Sequence, residues 1–98
     1  MKNDESIRRA AKMLKVLGDP SRLAIMNFLK DQDANVTAIC EMLGAEQSAV
    51  SHQLKVLRDY RLVKTHRDGR SIVYSPEDRH VYDFLNLALE HARESADE

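Results

Sequence analysis

Hydrophobic positions recur at helical spacing through most of this 98-residue chain. Ile7, Ala10, Ala11, Leu14 and Leu17 fall three and four apart, which predicts a helix from about Glu5 to Leu17. Gly18-Asp19-Pro20 then stops one helix and starts another. Glycine suits the end of the first, Asp19 can cap the second, and proline fits a first helical turn. This second helix runs to about Lys30 and buries Leu23, Met26, Phe28 and Leu29. A polar loop from Asp31 to Asn35 leads to a short helix carrying Val36, Ile39, Cys40 and Leu43 and ending at Gly44. In the next helix, from Glu46 to Tyr60, Val50, Leu54 and Leu57 point inward, while Gln47, Ser48, Ser51, His52 and Lys55 form a polar face.

The period then changes from helical to extended. Leu62 to His66 and Ser71 to Tyr74 read as two short strands around Arg67-Asp68-Gly69-Arg70, whose Asp-Gly pair signals a hairpin. A last helix starts near Ser75, the candidate N-cap, with Asp78 three residues on, and runs to about Arg93. Val81, Leu85, Ala88 and Ala92 make its inward stripe, and Tyr74, Tyr82 and Phe84 read as packing aromatics. The order is four helices, a β-hairpin and a fifth helix, with no internal repeat or linker. The chain thus reads as one mainly α domain over residues 1–98, a winged helix-turn-helix with topology α1-α2-α3-α4-β1-β2-α5.

The net charge of −1 is unremarkable, but its distribution is not. From His52 to Arg70 six basic residues (Lys55, Arg58, Arg61, Lys64, Arg67, Arg70) face two acidic ones, Asp59 and Asp68. From Ser75 to Glu98 seven acidic residues accompany two arginines. A basic middle beside an acidic end can present a phosphate-binding surface on one side of the molecule. The polar face of the fourth helix offers hydroxyls, an amide, an imidazole and an ammonium, groups able to reach base edges and phosphates in a major groove. The hairpin arginines suit phosphate or minor-groove contacts. With 32% charged residues, no long apolar run and no signal pattern, the chain is expected in the cytoplasm and away from membranes. Its single cysteine, Cys40, excludes an internal disulfide and a C-x-x-C motif and reads as a small buried residue.

Asp78, His80, His91 and Glu94 carry the sharpest chemistry, spaced D-x-H-x10-H-x2-E. All four can ligate a borderline metal. On one helix, eleven residues place the two histidines on one face but about 16 Å apart along the axis. One ion with bonds of about 2 Å cannot reach both. Two such helices packed antiparallel in a symmetric homodimer solve this, the front pair of one chain meeting the back pair of the other. Asp78 is the exception. In a regular helix it faces about 160° from His80, so it either caps the helix or ligates through an irregular start.

Three segments resemble one family. Leu17-Gly18-Asp19-Pro20-Ser21-Arg22-Leu23-Ala24-Ile25-Met26 is similar to the second-helix signature of the ArsR/SmtB metal-sensing repressors. Gln47 to Leu57 resembles their recognition helix, and Leu62-Val63 with Arg67 to Arg70 resembles their wing. The resemblance spans roughly Ala10 to Glu94. It implies double-stranded DNA as a partner, bound by a homodimer at an imperfect palindrome. It also implies no enzymatic activity and no small organic substrate. Soft-metal sensors of the family carry paired cysteines before the recognition helix, whereas Thr37 to Leu43 holds Cys40 alone, which argues against a thiolate site or a persulfide switch. The C-terminal pattern resembles that of the zinc-responsive members.

Two imidazoles and two carboxylates suit tetrahedral Zn(II), with Co(II) as its laboratory surrogate, while Ni(II) prefers more ligands and Cu(I) prefers sulfur. Four protein ligands leave no position for a water nucleophile, against a metallohydrolase. The expected base-edge contacts are Gln47, Ser48, Ser51 and His52, and the expected phosphate contacts are Lys55, Arg67 and Arg70. His66 is read as a wing residue. The expected function is a repressor that leaves its operator when zinc bridges the dimer, freeing metal efflux or storage genes. The competing expectations keep the fold and make the zinc structural, or make Co(II) or Ni(II) the inducer.

Overall fold

The computed structural model describes residues 4–96. Its elements are α1 (Asp4–Leu17), α2 (Pro20–Asp31), α3 (Val36–Leu43), α4 (Gln47–Asp59), β1 (Val63–Asp68), β2 (Ser71–Pro76) and α5 (Arg79–Ala96). This is the winged helix-turn-helix order expected from the sequence.

Local chemistry sets the boundaries. Asp19 caps α2, its Oδ2 accepting from the Arg22 amide at 3.1 Å, with Pro20 in the first turn. Asn35 caps α3 in the same way through the Ala38 amide at 2.9 Å. Gly44 ends α3 in the left-handed conformation, φ 65°, and its amide donates to the Cys40 carbonyl at 2.8 Å. The turn into α4 is therefore sharp, and α3 and α4 pack as a helix-turn-helix.

The hairpin is longer than the sequence suggested and turns one residue later. Arg67 and Asp68 lie on β1, paired with Ile72 and Ser71, and the loop is Gly69-Arg70. Gly69 has φ 64° and Arg70 does not share the positive φ, which is the type II′ pattern with glycine in the first central place. An unforeseen contact anchors the wing: Ala34 exchanges two backbone hydrogen bonds with Tyr74, at 2.8 and 3.1 Å, adding a bridge beside β2.

The start of α5 also differs from expectation. Ser75 is not its cap but a buried residue of β2. Asp78 takes that place, its Oδ1 accepting from the Val81 amide at 3.1 Å. The Glu77 amide is occupied by the Leu62 carbonyl at 3.0 Å, which ties the chain to the end of the hairpin and delays the helix until after Asp78.

Ile25, Met26 and Leu29 of α2 form the centre of the core, surrounded by Ile39, Val50, Leu54, Leu57, Leu62, Val63 and Leu85. Two expected inward stripes are only partly buried. On α1, Val16 and Leu17 are covered, whereas Ile7, Ala10, Ala11 and Leu14 are exposed. On α5, Leu85 is fully buried and Val81 half-buried, but Ala88 and Ala92 are exposed. Phe84, expected to pack, is exposed, as is Leu87. One chain cannot cover both sides of α5 and all of α1, so these helices share an uncovered apolar surface. Between them lies a groove of about 310 Å³ lined by Met13, Leu14, Leu17, Val81 and Phe84.

Leu85 is the residue through which α5 is anchored in the core. Leu85→Ala should cost about 2–5 kcal/mol of unfolding free energy, read from urea denaturation in the presence of a chelator.

Candidate functional site

The four metal-type residues occupy the two ends of α5, on a face that the core does not use. Taking His80 as origin, Phe84, Leu87, His91 and Glu94 follow at intervals of four, three, four and three residues. At 100° per residue they fall within an arc of about 80°. Leu85 lies well outside that arc, which is why the core can bury it without covering the histidines. The His80 and His91 side chains are 95% and 84% exposed.

Within one chain the residues assemble as two pairs. His80 Nδ1 stands 3.6 Å from Asp78 Oδ1, and His91 Nδ1 stands 3.7 Å from Glu94 Oε2. Donor atoms around a tetrahedral ion with bonds of about 2 Å lie about 3.3 Å apart. Each pair is thus near the separation that a shared ion needs. Among the described residues no three His, Cys, Asp or Glu side chains gather around one point, so a single chain offers two half-sites.

Asp78 reconciles the two roles that its angle left open. It sits just before α5, outside the regular helix, so the 160° separation does not apply. Its Oδ1 both caps the helix and faces His80. The Val81 amide, and then the neighbouring His80, hold its carboxyl below the ordinary carboxylate range. A depressed pKa favours the folded state above the unfolded pKa, and that contribution is lost as pH falls through the folded value.

The second candidate surface is the outer side of α4 with the hairpin tip. Gln47, Ser48, Ser51, His52 and Lys55 are all exposed, while Val50, Leu54 and Leu57 are buried beneath them. Lys55 Nζ pairs with Asp59 Oδ2 at 3.1 Å, a solvated contact one turn apart that can yield to a phosphate. Arg67 and Arg70 are exposed, the first on β1 and the second in the turn. His66, the other wing imidazole, lies 3.8 Å from Asp33 Oδ2. Cys40 is half-buried and unpaired in any disulfide, consistent with a packing residue. No helix among the described residues is long and apolar enough to cross a membrane.

Sequence reasoning missed the residue that seats α4. Arg22 Nε donates to the Val16 carbonyl at 2.8 Å and its Nη1 donates to Gln53 Oε1 at 3.0 Å. One guanidinium therefore joins the end of α1, the start of α2 and the flank of α4. Nothing in periodicity marks Arg22; its only signal was membership of the Leu17–Met26 motif. A second link, Lys30 Nζ to Asn86 Oδ1 at 3.4 Å, joins α2 to α5.

Asp78→Asn keeps an amide oxygen as cap acceptor, whereas Asp78→Ala removes it. The alanine variant should show a lower midpoint of thermal unfolding at neutral pH, and the asparagine variant should stay near the native value. Equal loss in both would refute the capping assignment.

Comparison with known proteins agrees with this architecture. Residues 19–65 match the family model of the bacterial regulatory proteins of the arsR family. The chain is 46% identical to the HTH-type transcriptional regulator NmtR of Mycobacterium tuberculosis, over 92% of this chain and 75% of that protein. It is 38% identical to a transcriptional repressor SmtB homolog of Synechocystis sp., over 93% of this chain and 69% of that one. The solution structure of apo-NmtR is similar at a TM-score of 0.78, covering 92% of this chain and 76% of that chain. The homodimeric winged helix-turn-helix DNA-binding domain of Mb0332 from Mycobacterium bovis is similar at a TM-score of 0.91, covering 98% and 89%. At 24% identity, that last likeness concerns the fold alone. With relatives of this identity and coverage, the chain belongs to the ArsR family of bacterial transcriptional regulators and not to an enzyme family.

Proposed function

We propose that this protein is a homodimeric, metal-responsive repressor that binds operator DNA through α4 and the wing and releases it when Zn(II) bridges the two α5 helices. The observation that carries the reading is the pair of exposed half-sites at opposite ends of one helix face, with apolar Phe84 and Leu87 between them. An antiparallel copy of the same face matches it, apolar centre on apolar centre and half-site on half-site. Asp78 and His80 of one chain, with His91 and Glu94 of the partner subunit, would hold the ion. Their two nitrogens and two oxygens suit zinc, and Co(II) is the natural spectroscopic surrogate. Bound there, the metal supplies a charged bridge that fixes the relative position of the two helices.

This chain's own contacts then relate that position to the DNA face. Leu85 and the Lys30–Asn86 hydrogen bond tie α5 to α2. Arg22 ties α2 to α4 through Gln53. A shift of α5 relative to its partner is therefore carried as a rigid-body change in the spacing of the two α4 helices. Gln47, Ser48, Ser51 and His52 read base edges, and Lys55, Arg67 and Arg70 hold phosphates. Because each half-site needs its recognition helix about one DNA turn from the other, a modest change in spacing weakens binding. By reciprocity, DNA weakens metal binding by the same factor.

In fluorescence anisotropy with the protein's own upstream DNA, buffered free zinc should weaken native binding by about 5- to 150-fold. His91→Ala should bind the same DNA and ignore zinc. If it releases DNA at the same free zinc as the native protein, the metal assignment is wrong. If the native protein shows no sequence preference in duplex DNA, the repressor reading fails. Parallel titrations with cobalt and nickel identify the inducer, and unchanged or tighter DNA binding would make the metal structural. Lys55→Ala should lower affinity for all duplexes alike and flatten the dependence of log affinity on log salt by about 1.

A further inference from the structure

His80 borders two surfaces of different character. On one side is the apolar groove between α1 and α5. On the other is a cleft of about 560 Å³ that runs from α1 to the α4–β1 turn and is lined by Arg9, Lys12, Arg61, Asp59, Asp78 and His80. Three cations therefore stand against two carboxylates, and both carboxylates are already engaged. Asp59 pairs with Lys55 at 3.1 Å, and Asp78 accepts from the Val81 amide. Arg9 pairs with Glu5 at 3.0 Å, but both side chains are mostly exposed, so the contact is weak and open to competition. Lys12 and Arg61 have no anionic partner among the described residues. The cleft thus presents uncompensated positive charge beside an apolar groove.

The other end of α5 carries the complement. Glu90 and Glu94 are exposed and one turn apart, and Leu87 lies one turn before Glu90. In the antiparallel pairing proposed above, on which this inference rests, His91 of the partner subunit lies beside His80. The apolar residue then faces the groove, and the acids that flank His91 face the cleft. We infer that the cleft of Arg9, Lys12 and Arg61 receives Glu90 and Glu94 from the C-terminal end of the partner's α5, forming a charge latch that holds the dimer without metal. Charge complementarity of this kind at the rim of an apolar contact fixes register and suppresses the parallel alternative, in which cation would meet cation. Glu94 then has two competing roles, paired with the cleft in the metal-free dimer and with the ion in the loaded one.

The test uses the full chain with a chelator present and reads the dimer dissociation constant by sedimentation equilibrium. K12E/R61E and E90K/E94K should each weaken the homodimer by at least about tenfold at low salt. That gap should shrink towards unity as salt shortens the screening length. An equimolar mixture of the two variants should form heterodimers in preference to either homodimer, because both latches are then oppositely charged. Native-like homodimers with no heterodimer preference would overturn the latch. Leu87→Glu separates this from the underlying dimer. If Leu87→Glu is monomeric while the charge variants are unaffected, only the latch is wrong. If Leu87→Glu dimerises as tightly as the native chain, the α5 pairing itself is wrong.

Discussion

The proposed dimer and metal site both depend on α5 having two faces with incompatible demands. Leu85 must be buried in the chain's own core, because little else fastens the helix to α2. The neighbouring arc from His80 through Phe84, Leu87 and His91 to Glu94 then necessarily points away. A helix turns 100° per residue, so a single chain cannot cover both arcs. Exposed aromatic and aliphatic groups on that arc favour a second apolar surface, and in the proposed pairing the charged groups at its ends select the antiparallel orientation. In the proposed dimer, oligomeric contact, metal binding and register would all follow from this one helix.

The same economy governs how the outer face of α4 is held. The buried residues of α4, Val50, Leu54 and Leu57, fix its rotation, so its polar side is presented by default. Rotation does not fix tilt, however. Tilt is set by its neighbours, through the short turn at Gly44 and through the Arg22 guanidinium on Gln53. Arg22 is only partly buried, and its bonds to a carbonyl and an amide are charge-assisted and directional. A contact of this kind transmits position better than an apolar contact, which tolerates sliding. The wing is seated by different means, the paired backbone hydrogen bonds of Ala34 and Tyr74.

Asp78 illustrates how a small backbone event decides chemistry. Had α5 begun at Ser75, Asp78 would lie within the helix and face away from His80. The Glu77 amide bonds instead to Leu62, which delays the helix until Arg79. Asp78 becomes the cap, and its carboxylate lies beside His80. Capping and pairing with a histidine are then served by the same oxygen, and a change at this position touches both.

Much of this was legible in the sequence for a definite reason. Element order, the cap at Asp19, the glycine stop at Gly44 and the inward residues of α4 are local, since each depends on residues within one or two turns. The H-x10-H-x2-E part of the spacing belongs to the same class, because helical geometry puts His80, His91 and Glu94 on one face, whereas Asp78 comes beside His80 only through the long-range Glu77–Leu62 bond. The shift of the hairpin turn to Gly69-Arg70, the Ala34–Tyr74 bridge, the true cap of α5 and the reach of Arg22 to Gln53 depend on partners distant in sequence. So does the exposure of Phe84, which reads as a packing residue until the core is seen to be complete without it. Periodicity determines which side chains share a face; only the packed chain decides which of two apolar faces is buried, and so which is left for a partner.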